Sequence, residues 1–228
     1  AYLSVAEALH HSGYECGAQV DISWIDSEDI TEDNVAAQLA GCDGIIVPGG
    51  FGDRGIEGMI TTAKYCREHD IPYLGICLGM QIAVIEFARH VCGLADANSG
   101  EFSKTSEHKI IDFLPDQSET IDKGATLRLG AYPCHILPGT RMHECYGCDE
   151  IRERHRHRYE FNNDYRETLT GAGMTLCGQS PDGHIVEAVE LSDHRFFVGV
   201  QFHPEFKSRP NRAHPLFKAL VESSLKNK

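Results

Sequence analysis

No stretch of the 228 residues approaches the roughly 18 consecutive apolar positions that a membrane-spanning helix needs. Cations are scarce as well. Lys and Arg number 21 against 34 Asp and Glu, a formal net charge of −13. A surface of that sign repels phosphate backbones, which argues against a nucleic-acid binder. The nine cysteines are odd in number and lack framework spacing, and Cys92 and Cys177 sit among apolar neighbours. Reduced thiols and a cytoplasmic home are therefore expected rather than a disulfide scaffold. There is no internal repeat, low-complexity tract or long linker, so residues 1–228 read as one domain. An initiator Met and a signal-peptide pattern are both missing, and the sequence reads as a piece of something longer.

What is present suffices for a sizeable core, since 41% of the residues are hydrophobic. Tyr2, Val5, Ala6 and Leu9 have helical spacing, with Gly13 as the expected stop. Val20, Ile22 and Trp24 alternate as in a strand over 18–26. An acidic stretch leads to a helix near 35–39, and Ile45 to Val47 form a short buried strand. A helix over 59–69, a strand over 71–77 and a helix over 80–94 follow, the last apolar on most of its circumference, as in a core. The middle reads as β (KIIDFLP, TLRLGAYPCHIL, ERHRHRYEFN), and HIVEAVEL and RFFVGVQF are late strands before a helix from about Pro215 to Leu225. Strand and helix alternate in the βαβ rhythm, which predicts an α/β fold with a mostly parallel central sheet flanked by helices. A strand before the first helix, usual in such sheets, is not in the sequence.

The most informative segment is Gly75-Ile76-Cys77-Leu78-Gly79, between a predicted strand and a predicted helix. It has the form G-x-nucleophile-x-G, in which a sharp turn lifts the central side chain above the sheet edge. Glycines are required because a Cβ two residues away would collide with the turn. The following helix aims its amides at the sulfur, which is expected to lower the thiol pKa, and leaves the Leu78 amide for an oxyanion. A cysteine nucleophile needs a base, and the base needs an orienting acceptor. His203 and Glu205, two apart in an expected extended segment after the strand RFFVGVQF, fit those roles. Val47-Pro48-Gly49-Gly50-Phe51-Gly52 follows another buried strand and lacks the GK[ST] ending of a phosphate loop. Its glycines let the backbone approach a ligand, so the Gly50 amide is a candidate second oxyanion donor.

These motifs, in this order, resemble the class I glutamine amidotransferases. More narrowly, GGFGDRGIEGMI, GICLGMQIAVIEFAR, ANSGEF, GATLRLGAYPC, RHRHRYEFN and GVQFHPEFKSRP are similar to the glutaminase domains of CTP synthases, and the resemblance covers nearly the whole chain. It implies a Cys77, His203 and Glu205 triad, oxyanion amides at Gly50 and Leu78, and a glutamine pocket lined by Phe51, Gln81, Glu101, Arg158 and Tyr159. Charge chemistry agrees: free glutamine is a zwitterion, so Glu101 can meet its ammonium and Arg158 can clamp its carboxylate. The resemblance further implies an N-terminal amidoligase domain outside this chain that uses ATP, UTP and Mg, GTP as an activator, and a tetramer when full-length. No cofactor or metal is expected in the chain itself. GATLRLG, with Ala125 and Leu127, departs from the family's GGTMRLG in a lid segment linked to GTP.

Other signals lead elsewhere. Arg152, Arg154, Arg156 and Arg158 share one face of a strand, where one can serve the pocket and the others can meet acidic neighbours. His143, Cys145 and Cys148, even with His155, lack the second clear pair of a structural zinc site. Met80, Ile82, Val84 and Ile85 are core packing. Alternatives to the amidotransferase reading are a free-standing γ-glutamyl hydrolase or peptidase, another class I amidotransferase subunit, and a non-enzymatic module that keeps only the fold.

Overall fold

The computed structural model describes residues 2–113 and 127–226. Helix α1 (Leu3–Cys16) opens the chain and ends at Gly17, whose φ of 65° gives the left-handed cap that glycine adopts without strain. Gly13 is therefore inside the helix, where an added Cβ would meet the Ala18 carbonyl at 2.8 Å. The strand expected over 18–26 does not form. Alternation makes that segment half-buried, but a strand also needs a partner ladder. None of the described strands offers one, and Trp24 lies outward with its ring stacked on Tyr2.

The chain continues through α2 (Val35–Gln38), β1 (Ile45–Val47), α3 (Ile56–Glu68), β2 (Tyr73–Ile76) and α4 (Leu78–His90). It then forms β3 (Asn98–Ser99), β4 (Lys109–Asp112), β5 (Arg128–Ile136), α5 (Arg141–Tyr146), β6 (Glu150–His157) and β7 (Glu160–Phe161). Helix α6 (Arg166–Gly171), β8 (Met174–Gln179), β9 (Val186–Leu191), β10 (Phe197–Val200) and α7 (Pro215–Leu225) complete it. The sequence pattern missed β3, α5, α6 and β8 and started α3 and α4 late. Helix α4 begins immediately after Cys77, because the turn itself is its N-terminus.

Seven strands form one sheet in the order β1-β2-β10-β9-β8-β5-β6, and β3-β4-β7 form a small second sheet. The α/β class with flanking helices is as expected. Within the large sheet, however, parallel pairing is confined to β1, β2 and β10, while the remaining neighbours are antiparallel. The sheet is mixed because β8, β9 and β10 follow one another without crossover helices, so each reverses direction.

The central strands are buried on both faces, which explains their continuous hydrophobic runs. Tyr73 and Phe197 stack at 4.5 Å between their ring centres and face the core under α3 and α4. Leu74, Ile76, Val198 and Val200 face the opposite core, closed by Val5 and Ala8 of α1 and by Leu216, Phe217 and Leu220 of α7. Each large side chain buried this way contributes about 1.5–3 kcal/mol. Residues 78–88 of α4 are all buried, Gln81 and Glu86 included. Arg67 of α3 neutralises Glu86 with a guanidinium contact at 2.8 Å. No described helix is long and apolar enough to cross a membrane.

Candidate active site

The strand-to-helix turn has the conformation its glycines predicted. Cys77 sits at φ 52° and ψ −101°, a left-handed backbone unusual for a side chain with a Cβ. A Cβ on Gly75 would lie 2.5 Å from the Gly79 carbonyl, and one on Gly79 would overlap the Val47 carbonyl. Both positions therefore require glycine for space rather than for their own dihedral angles.

Strands β2 and β10 are parallel neighbours with Gly75 opposite Gly199 and Ile76 opposite Val200. The ladder continues past their ends, since the Cys77 amide donates to the Val200 carbonyl at 2.7 Å. Two distant sequence motifs thereby emerge at one sheet edge. Gln201 follows beside Cys77, and His203 is anchored through its amide to the Arg154 carbonyl of β6 at 2.7 Å. His203 and Glu205 do not lie on an extended segment. Pro204–Lys207 is a single 3₁₀ turn begun by Pro204, which folds Glu205 back under the imidazole.

His203 Nδ1 lies 2.8 Å from Glu205 Oε1. A carboxylate accepts, so Nδ1 carries the proton and Nε2 is the basic nitrogen. Nε2 is buried and has no hydrogen-bond partner, and Phe206 stacks against the ring from outside. Gly49 lies between the imidazole and the nucleophile turn. A Cβ there would be 2.7 Å from His203 Cε1 and 3.5 Å from Cys77 Cβ. The structure thus brings the Cys77 turn, the imidazole and the carboxylate together, with Gly49 of the loop after β1 packed against both the ring and Cys77 Cβ. Gly50 of that loop is adjacent to Leu78, whose Cδ2 would lie 3.0 Å from an added Cβ.

The expected depression of the thiol pKa is not found. Burial pushes Cys77 up to about 12, and the Leu78 amide at the start of α4 opposes this only in part. Glu205, Glu160 and Glu101 add to the rise. Removal from water outweighs one helix terminus, so the resting side chain is a thiol.

The expected pocket residues gather around this cleft in different ways. Glu101 is half-buried, its pKa raised by burial, and it accepts from the Gly52 amide at 3.4 Å. Arg158 is close enough to favour its ionised form. Phe51 projects from the glycine loop, 68% exposed, with the Arg156 guanidinium 5.7 Å over its ring. Gln81 is buried and donates to the Tyr159 carbonyl at 3.2 Å. Tyr159 packs its ring on Phe113 at 4.4 Å. Gly124, Ala125 and Thr126 of the expected lid lie outside the described residues.

Beneath the cleft lies a charged layer that motif reading missed. Alternation in β6 turns Glu153, His155 and His157 inward while Arg152, Arg154 and Arg156 face out. His155 Nδ1 and His157 Nε2 are 2.9 Å apart. Burial, followed by the Arg128 charge, pushes the two imidazoles down to about 2 and about 3. Arg128 holds Glu187 with bonds of 2.7 and 3.2 Å and reaches Glu160 at 3.2 Å. The inward period of two in RHRHRYE was the available signal, although sequence alone did not say which face was covered. Elsewhere, His143 Nε2 pairs with Asp149 at 2.9 Å. All nine cysteines are free, and no metal-binding group of three His, Cys, Asp or Glu occurs among the described residues.

A strand-to-helix cysteine turn beside a His-Glu pair that follows the neighbouring parallel strand accords with the family match over residues 1–223: the chain belongs to the class I glutamine amidotransferases. Within that family it is similar along its length to the glutaminase portion of CTP synthases. Identity to the CTP synthase of Carboxydothermus hydrogenoformans is 60% over 226 residues, covering 99% of this chain and 42% of that protein. The Moorella thermoacetica CTP synthase is 61% identical over 221 residues, covering 97% and 41%. The chain thus spans about two fifths of the length of these relatives. Among solved structures, the glutaminase domain of Trypanosoma brucei CTPS with bound acivicin superposes with a TM-score of 0.94 at 39% identity, covering 99% of this chain and 88% of that one. A glutamine amido transferase from Methylobacillus flagellatus, at 14% identity and TM-score 0.56, covers 87% and 64% and shares the fold.

Proposed function

We propose that this chain hydrolyses the side-chain amide of L-glutamine to glutamate and ammonia, and that in a longer CTP synthase polypeptide the ammonia aminates UTP to CTP at the expense of ATP. The observation that supports this most is the state of His203: Nδ1 is committed to Glu205 and a buried Nε2 is left without a hydrogen-bond partner, while the ring edge and Cys77 Cβ both lie against Gly49. Arg158 clamps the substrate carboxylate and Glu101 meets its ammonium, with Phe51, Gln81 and Tyr159 completing the walls. Because the thiol is neutral at rest, its proton passes to His203 Nε2 as the sulfur attacks the amide carbon. The Gly50 and Leu78 amides hold the resulting oxyanion. The carbon–nitrogen bond then breaks as His203 returns the proton to the departing ammonia, leaving a γ-glutamyl thioester. Water, deprotonated by His203, releases glutamate and restores the thiol.

By the same reading the chain is one glutaminase domain over residues 1–228, and an amidoligase domain of the same polypeptide is its partner in a cytoplasmic tetramer. ATP, UTP and Mg, with activation by GTP, belong to that larger assembly. Replacing Cys77→Ala is expected to abolish glutamine hydrolysis, and retained turnover would rule out the thioester route. Preference for free glutamine over γ-glutamyl peptides separates this reading from a γ-glutamyl hydrolase.

A further inference from the structure

The side chain of Gln201 is fully buried against the nucleophile and has no role in the chemistry above. Its orientation follows from a backbone group. The Tyr159 carbonyl can only accept, so the Gln81 amide must present its nitrogen there, at 3.2 Å. The same nitrogen lies 3.1 Å from Gln201, which must therefore face it with Oε1. That leaves Gln201 Nε2 directed at Cys77 Sγ, 3.6 Å away. The Gln201 backbone is fixed too, its amide donating to the Glu187 carbonyl of β9 at 2.8 Å.

We propose that Gln201 is a positioning residue for the reactive sulfur: its amide N–H holds the Cys77 side chain in place and stabilises negative charge on the sulfur when the thiol proton leaves. The inference rests on the reading of Cys77 as the nucleophile. The groups around the sulfur make such a donor necessary. Glu205 from the 3₁₀ turn, Glu160 from β7 and Glu101 from the segment after β3 all oppose a thiolate, and the Leu78 amide from α4 favours it. His203 from the loop after β10 is the proton acceptor. Gln201 adds a second neutral donor, and a donor to a charged acceptor is worth more than one to a neutral acceptor. Through Gln81, this donor is also tied to the carbonyl of a residue in the glutamine pocket. A change at the Tyr159 carbonyl would reach the sulfur through two side-chain amides.

The test compares wild type with Gln201→Glu and Gln201→Met, two substitutions of similar length that remove the donor, with circular dichroism melting as the check on folding. Iodoacetamide is added without glutamine from pH 6 to 10, and modification of the Cys77 peptide is followed by mass spectrometry. Gln201→Glu is expected to slow Cys77 alkylation by about tenfold or more throughout this range, a displacement of the whole profile by about one pH unit. Gln201→Met is expected to move it in the same direction by less. In glutamine turnover, kcat falls about tenfold with KM changed less than about threefold, because the lost contact is to the nucleophile. An alkylation profile that coincides with wild type in both variants overturns the proposal. If neither variant folds, Gln81→Leu, which frees the Gln201 amide to rotate, is expected to shift the profile in the same direction, and an unshifted profile overturns it equally. Alkylation does not depend on glutamine hydrolysis. Failure here is therefore distinct from failure of the glutaminase reading, which the Cys77→Ala assay detects.

Discussion

Arg128→Met removes the guanidinium that holds two carboxylates beneath the active-site cleft while keeping an apolar side chain of comparable length. The Arg128 side chain is 10% exposed, that of Glu187 0% and that of Glu160 1%. Nearby imidazoles cannot replace the lost charge, because burial holds His155 and His157 neutral. Breaking a buried pair by deleting one partner costs about 3–5 kcal/mol. In a protein of this size that is roughly 6–20 °C of melting temperature. The sign with pH follows from the carboxyls. Even beside Arg128, burial raises Glu160 from 4.5 to about 8 and raises Glu187 too, so both gain protons on folding. Such groups cost nothing below the unfolded pKa, where both states are protonated. Stability is lost as pH rises from there through the folded value. Without Arg128 both folded values move higher, so the variant's deficit is expected to grow between pH 5 and pH 8. Urea unfolding followed by far-ultraviolet circular dichroism measures it, since Trp24 is 63% exposed and a poor fluorescence reporter. A deficit below about 1 kcal/mol at pH 8, or one that shrinks as pH rises, would refute the account.

Three further outcomes can be checked. Glu205→Gln is expected to lower kcat by about 10²–10⁴-fold with little change in stability, because an amide no longer fixes the proton on His203 Nδ1; turnover within threefold of wild type would contradict the assigned tautomer. Arg158→Ala is expected to raise the KM for glutamine by roughly 10- to 100-fold, the loss of one charged hydrogen-bonding clamp, and an unchanged KM would remove Arg158 from the pocket. Gly79→Ala should be stabilising by about 0.5–1 kcal/mol on helix propensity alone. Overlap with the Val47 carbonyl reverses the sign, to a loss of about 1–3 kcal/mol in thermal unfolding.

Local stretches were legible where one residue type has one physical use. The glycines at 75 and 79 mark a turn without room for Cβ, and the structure places carbonyls there. Residues 80–88 are apolar on most of the helix circumference because α4 is covered all round. Legibility failed where a neighbour decides. Residues 18–26 alternate but find no ladder, and β8 carries Cys177 and Gly178 in a pattern that looks like no strand until β9 covers it. The curl of His203–Glu205 into a 3₁₀ turn was hidden by the same proline that starts it. Gln201 stood next to the histidine motif, but no motif says where its amide points.

The amino-acid order alone determined the steric demands of the elbow, the apolar faces and the residue types able to attack, transfer a proton and clamp a zwitterion, because these depend on covalent geometry and side-chain chemistry over a few positions. Only the tertiary structure decided that β10 lies beside β2, which brings Gln201 within reach of a cysteine 124 positions earlier. Only it decided that the thiol is neutral at rest, because a pKa is set by how much water and charge surround a group, and those are properties of packing rather than of order along the chain.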